Sequence, residues 1–389
     1  MTDITKTVSY KIARFIVILG IFYAFFTSVD MLGVSLTWVG RGFAESLIRT
    51  VRNPVAGLFI GLFVTSLIHS SACTTAMIVT LVSTKITLNG MVQPMLPMEY
   101  AIPLIMGANI GTTVTSAMVS LGQMGRKEEF RRAMSGAMVH DMYNIIAVAF
   151  FLPLELLTHL LQTTSRFLAE AFKSAGGVEI AKPLDYAIKP VSMFVRDQIF
   201  APIVPLPWAG LAMGVFALGI MGVALVAIAK IMRKIAETRF EVLFDKYVGK
   251  YPYLALLLGI VVTAAIQSSS IVTSMLVPMV GAGIMTIEQI YPVMLGADIG
   301  TTITAILAGL ARLAVTNESE GLAIAFVHTL LNVFGVIVFF MIPGSSKIPI
   351  GAARYLARIL TKSPQYAIAF VIIVFYGIPG AIILLQNIF

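Results

Sequence analysis

Charge is scarce in this chain: 12% of its 389 residues are Asp, Glu, Lys or Arg, against 58% that are hydrophobic. A soluble globular domain carries about 25% charged residues, so the composition excludes that class and places the chain in a bilayer. Cysteine is nearly absent. Cys73 stands alone, which excludes an intrachain disulfide and a thiolate metal cluster and leaves the redox compartment undetermined. Four scattered histidines, His69, His140, His159 and His328, give no transition-metal spacing, and His140 and His328 read as packing or hydrogen-bonding residues. No nucleophile elbow, P-loop or zinc-helix signature occurs, so no catalytic residue and no cofactor are expected, and the chain does not read as an enzyme. A net charge of +8 would suggest nucleic acid in a soluble protein. Here the basic residues gather in loops between apolar segments, where they are an orientation signal, and no nucleic-acid partner is expected.

What the chain does have is apolar length. Hydrophobic segments run near 12–38, 54–83, 101–124, 133–157, 208–232, 251–284, 290–311, 322–343 and 366–388. A spanning helix needs about 20 apolar residues, so the predicted fold is all-α, a polytopic membrane helix bundle. The first run is too long for a cleaved signal peptide and reads as a retained helix.

Compared with itself, the chain repeats. GLFVTSLIHSSACTTAMIV from Gly61 aligns with GIVVTAAIQSSSIVTSMLV from Gly259. IPLIMGANIGTTVTS from Ile102 returns as YPVMLGADIGTTITA from Tyr291, and AMVHDMYN from Ala137 as AFVHTLLN from Ala325. The period, about 190 residues, is that of a duplicated half rather than a solenoid. The loop after the first GANIGTT block carries Arg126, Lys127, Arg131 and Arg132, whereas its twin carries Arg312, Glu318 and Glu320. Basic loops stay cytoplasmic, so the twins lie on opposite faces and the repeat is inverted, as in secondary transporters. The basic run Lys230, Arg233, Lys234, Arg239, Lys246 and Lys250 before the second copy supports this. The organisation implied is an N-terminal helix and interfacial segment over 1–50 and a first repeat over 51–157. Residues 158–250 follow as an external connection, linking helix and basic cytoplasmic loop, then a second repeat over 251–343 and a basic loop and C-terminal helix over 344–389. With a cytoplasmic N-terminus and each Ser-rich segment returning to its own side, the 344–364 loop lies inside and the chain ends outside.

Polar residues recur at matched depths. His69-Ser70-Ser71-Ala72-Cys73-Thr74-Thr75 and Gln267-Ser268-Ser269-Ser270 interrupt runs without charge. Successive hydroxyls compete with helical hydrogen bonds and favour N-caps, so each segment is expected to break and restart as a re-entrant helix. Two such helix N-termini facing one another would make an anion site. The glycines of Gly107–Thr113 and Gly296–Thr302 would let a helix unwind, exposing carbonyls that, with Asn109, Asp298 and Thr112, suit sodium. The competing reading of these blocks is a small-residue helix crossing. Well inside the apolar segments of the repeats the charges are Asp141 and Asp298, with no Lys or Arg there. A carboxylate so placed protonates or holds a cation.

The Ser-rich pair, GANIGTTVT and GADIGTTIT, FRRAMSGAMVHDMYN from Phe130 and LPLE at Leu152–Glu155 together resemble the type II sodium/phosphate cotransporter family over roughly residues 50 to 350. The resemblance implies a symporter that imports inorganic phosphate with sodium, by alternating access around a site between the Ser-rich segments. Ser70, Ser71, Ser268, Ser269 and Ser270 match the phosphate positions. Asp141 matches the aspartate of the electrogenic branch, and Gln123, Asn144, Gln267, Thr301 and Thr304 match positions of a second sodium site. His69 and Ala72 depart from the usual Gln and Ser, Asp298 from the commoner Asn, and Arg126 from an acidic residue. The resemblance points to a compact bacterial-type transporter, multi-pass in the inner membrane. Its expected partners are phosphate, sodium ions and lipid, with a homodimer as candidate assembly and no metal but sodium. A transporter of another small anion (sulfate, arsenate or a carboxylate), a passive anion channel and a non-transporting scaffold are the competing readings.

Overall fold

A computed structural model describes residues 2–39, 41–88, 90–205, 208–247 and 251–386, with side chains placed from residue 16 onward except at 41, 88, 178–182, 184–185, 232–247 and 386. The expected basic linker residues from Arg233 to Lys250 therefore lie outside the described side chains. The long helix α1 (Thr2–Val39) leads into α2 (Arg41–Val51), after which the chain turns by 108° into α3 (Pro54–Ile68). Asn53 starts α3 by accepting the Val55 N–H, with Pro54 at the first helical position, where no N–H is needed. His69 then adopts φ 56° and Ser70 is extended, which no helix can continue, and α4 (Ser71–Ser83) restarts. A short hairpin of β1 (Lys85–Leu88) and β2 (Met91–Pro94), with Lys85 opposite Pro94, precedes α5 (Met98–Gly111), α6 (Val114–Leu121) and α7 (Lys127–Thr158).

The order recurs after α8 (Leu160–Phe172), α9 (Val178–Phe194), α10 (Ala201–Ile203) and the long α11 (Trp208–Tyr247). Helix α12 (Pro252–Ile266) stops at Gln267, φ 57°, and α13 (Ser269–Gly281) restarts after extended Ser268. Then come α14 (Ile287–Thr316), α15 (Glu320–Val336), α16 (Lys347–Leu360), α17 (Pro364–Ile372) and α18 (Ile378–Gln386). Among the described residues seven helical stretches are long and apolar enough to cross a membrane: 16–39, 98–121, 127–158, 208–231, 287–316, 320–341 and 364–385. The members of the two Ser-rich pairs, at 15 and 13 residues each, fall short alone.

Packing exchanges the halves. α3 packs on α5 and α12 on α14, each within its own half, whereas α4 packs on α14 and α15 and α13 on α6 and α7. The first-named contacts are backbone on backbone: a Cβ at Gly107 would run into the Leu58 carbonyl, and one at its counterpart Gly296 into the Leu256 carbonyl.

Those glycines correct an expectation. The GADIGTT block does not unwind; it lies inside the unbroken α14, and in the first copy the interruption is confined to Thr112 and Thr113, both still right-handed. Glycine serves here to let two helices touch, the small-residue crossing of membrane bundles. The connection over residues 158–205 is largely helical, and the expected 344–364 loop holds α16. Ile350, Ala353, Ala357 and Leu360 are buried along α16 at helical spacing while Arg354 and Arg358 face out, so an amphipathic period decided where basic content suggested a loop. Glu155 of the LPLE stretch turns α7 into α8: its carboxylate accepts the N–H groups of Leu161 at 2.6 Å and Gln162 at 3.1 Å.

Replacing Gly107 or Gly296 by Ala should therefore cost about 1–3 kcal/mol through overpacking, whereas Gly219→Ala, on a helix with open space, should be neutral or slightly stabilising. Thermal unfolding of the detergent-solubilised protein measures both.

Candidate functional site

The Ser-rich breaks present helix N-termini with different caps. At the first, Ser70 Oγ accepts the Cys73 N–H at 3.2 Å; at the second, Ser268 makes no side-chain cap. Ser71 and Ser269, the first residues of their helices, are buried, and Ser70, Ser268 and Ser270 half-buried. The amides of a helix's first turn have no partner inside the helix and carry the positive end of its dipole, so both breaks offer anion-directed donors with hydroxyls beside them. His69 is exposed, its Nδ1 at 3.5 Å from Thr115 Oγ1. The equivalent residues of the second half are Gln267 and Thr304, and both hold a buried oxygen without a hydrogen-bond partner.

Between the halves lies a buried network of Asn109, Asn144, Asn332, Asp298, His140 and His328. His140 Nε2 donates to Asp298 Oδ1 at 2.8 Å, and its repeat-mate His328 stands 3.3 Å through Nε2 from Asn109 Oδ1, the repeat-mate of Asp298. Each histidine thus reaches across to the other half. Asn109 Nδ2 donates to Asn144 Oδ1 at 2.6 Å and to Asn332 Oδ1 at 2.9 Å, and Asn144 Nδ2 donates to Asp298 Oδ2 at 3.1 Å. The donors run one way, from Asn109 to Asn144 to residue 298, so the last member must accept from two sides. A carboxylate accepts from both sides, whereas a carboxamide fits only if His140 carries its proton on Nδ1 and accepts through Nε2.

The expected sodium residues separate into three groups. Asn109, Asn144 and Asp298 belong to the network. Thr112 and Thr301 give their hydroxyl protons to the carbonyls of Ala108 and Ala297, each at 2.9 Å. Asp141, Gln123, Gln267 and Thr304 carry buried oxygens with no hydrogen-bond partner, and in Asp141 both oxygens are so. Thr113, which adjoins Asp141, gives its hydroxyl to the Ile110 carbonyl at 2.8 Å. Unpaired acceptors in an apolar interior are costly, and oxygens without donors are what a hard cation takes. Gln123 stands apart, ten residues or about 15 Å along the chain from Thr113, its amide lying over Gly281 at the end of α13. Arg126 is exposed and pairs with Glu129 at 3.0 Å. Asn332, which joins the network, went unnoticed in the sequence although VHxxxN places it level with Asn144.

Two interlocked repeats with broken helices and a polar centre define the architectural class of secondary transporters. The chain belongs to the Na+/Pi-cotransporter family, whose model matches residues 24–172 and 209–362, one stretch in each half. It is 31% identical to sodium-dependent phosphate transport protein 2B of Homo sapiens over 455 aligned positions, covering 95% of this chain and 64% of that protein. The same protein of Pongo abelii is also 31% identical, again with 95% and 64% covered, and protein 2A of Rattus norvegicus is 29% identical, with 96% and 68% covered. The chain thus spans about 64% of the length of the 2B relatives. No solved structure matches it.

The one-way network makes a directional prediction. Asp298→Asn leaves His140 to accept through Nε2 and to carry its proton on Nδ1, which is buried without a partner, and should cost about 1–3 kcal/mol, while the exchange Asn109→Asp with Asp298→Asn, which reverses the network, should recover most of it. Unfolding midpoints of the three proteins decide this.

Proposed function

We propose that the chain is a sodium-coupled symporter for inorganic phosphate. Support comes from the family it belongs to and from relatives whose names are those of sodium-dependent phosphate transporters. The observation that carries the reading is Asp141, a fully buried carboxylate with neither oxygen hydrogen-bonded. Such a group favours a monovalent cation in its place, and sodium is the coupling substrate. Phosphate is held by Ser70, Ser71, Ser268, Ser269 and Ser270 and by the free amides of α4 and α13. Sodium is taken by Asp141 and by the unpaired oxygens of Gln267, Thr304 and Gln123, with Asn109, Asn144, Asp298, Thr112 and Thr301 shaping the walls.

Coupling follows from electrostatics. Serine hydroxyls and helix dipoles attract an anion but do not neutralise it, so in a low-dielectric site phosphate is bound well only when cations accompany it. The reverse holds by linkage. Three crossing stretches lie between the Ser-rich pairs, at 98–121, 127–158 and 208–231. With each pair returning to its own side, this odd number makes the halves inverted, and alternating access follows by rocking one half against the other. The basic residues Arg126, Lys127, Arg131 and Arg132 set their loop inside, which makes the N-terminus cytoplasmic in a bacterial inner membrane.

In proteoliposomes, an inward sodium gradient should drive uptake of labelled phosphate and a choline gradient should not. Asp141→Gly should retain sodium-dependent uptake and lose the accompanying current. Ser269→Leu, which blocks the N-terminus of α13, should lower uptake on the order of tenfold or more, a loss of about 1.4 kcal/mol or more in binding. Uptake indifferent to sodium would leave a passive anion pathway, and stronger competition by sulfate or a carboxylate would move the substrate to that anion.

A further inference from the structure

One buried ion pair lies outside the site just described. Asp30 on α1 and Arg312 on α14 are 2% and 5% exposed, with Nη1 donating to Asp30 Oδ1 at 2.9 Å. Arg312 Nε donates to Ser83 Oγ at the end of α4, at 3.0 Å. The guanidinium fills the space where a side chain on Gly33 of α1 would stand. Asp30 Oδ2 has no partner. Three segments meet here: a helix from outside the repeats, the end of the first Ser-rich pair, and the helix that carries Asp298, Thr301 and Thr304.

The repeat gives this pair its meaning. Counted from Gly107 and Gly296, Arg312 is the counterpart of Gln123; counted from Ser70 and Ser268, Ser83 is the counterpart of Gly281. The packing respects both equivalences, since the Gln123 amide lies over Gly281 and the Arg312 guanidinium reaches Ser83. One position therefore bears a neutral amide with an unpaired buried oxygen in the first half and a permanent cation in the second.

We propose that Arg312 is a tethered cation occupying a site that Asp30 and Ser83 would otherwise offer to sodium, and that it thereby limits how many sodium ions accompany each phosphate. A buried carboxylate requires a positive partner, and Asp30 with Ser83 is a set of hard oxygens. A guanidinium fixed to α14 satisfies Asp30 but cannot cross the membrane, so it carries no coupling. Gln at 312, the residue of the first half, removes that charge and adds a further oxygen.

The test compares wild type with Arg312→Gln, Asp30→Asn/Arg312→Gln and Arg312→Lys. Unfolding temperatures of the purified full chain are measured in sodium chloride and in choline chloride, and the sodium dependence of phosphate uptake is measured in proteoliposomes. Arg312→Gln is expected to show a larger sodium-dependent rise in unfolding temperature than wild type and a steeper sodium dependence of uptake. The double variant, with no buried charge, returns both to the wild-type increment, and Arg312→Lys keeps it. If Arg312→Gln folds only in sodium, the proposal is supported by that alone. An Arg312→Gln protein with the wild-type increment overturns it, as does a double variant that keeps the extra increment. So does Arg312→Gln unfolding alike in both salts while the double variant folds, or loss of the fold in all three variants, which leaves the pair a structural contact. The inference uses the sodium-coupled reading in its transport arm alone: wild-type uptake indifferent to sodium sinks that reading, whereas the unfolding comparison judges Asp30 and Arg312 by themselves.

Discussion

The hydrogen bond from His140 to Asp298 ties a helix of the first repeat to one of the second where both side chains are buried. A polar group there that lost its partner would cost more than most single contacts in the protein can supply. The network around it therefore constrains how the halves meet. His140 reaches Asp298, His328 reaches toward Asn109, and the three asparagines join the two, so polar residues of each half take partners from the other. Close helix crossings at Gly107 and Gly296 bring the network helices onto their own Ser-rich pair. The Ser-rich helices α4 and α13 are then held against the opposite half, so each break is framed by residues of both.

This interlock separates polar groups that hold the fold from those free for other chemistry. Asn109, Asn144 and Asp298 spend their hydrogen bonds within the network. Thr112 and Thr301 bond back to their own helices, as hydroxyls in membrane helices commonly do. Asp141 has the opposite character: it lies next in sequence to His140, yet both of its oxygens are unpaired. Its repeat-mate Thr329 is paired, donating to Thr302 Oγ1 at 3.0 Å. The duplication thus supplied a symmetric frame, and among its departures Asp for Thr at 141, Asp for Asn at 298 and Arg for Gln at 312 each add a charge. Transporters built from inverted halves bind at the boundary between them.

The membrane class, the duplicated halves, both helix breaks and the family were all legible in the sequence, because each rests on local or self-referential information. Apolar length reports the bilayer, a run of hydroxyls reports a helix that cannot continue, and a repeat is found by comparing the chain with itself. The amphipathic α16 was legible too, in the spacing of Ile350, Ala353, Ala357 and Leu360, but its basic content hid the period. Which of two meanings a residue carries was not legible. Glycines at GADIGTT could loosen a helix or let two helices touch, and only the Leu256 carbonyl lying against Gly296 decides for contact.

The sequence by itself determined that polar residues sit at matched depths in two halves, since composition and periodicity are properties of the chain. Tertiary structure alone decided their partners. Asp30 and Arg312 are 282 positions apart and His140 and Asp298 are 158 apart, and nothing in the stretch around either member names its partner. A hydrogen bond requires two atoms within about 3 Å, and in this chain that distance is set by how one half folds against the other.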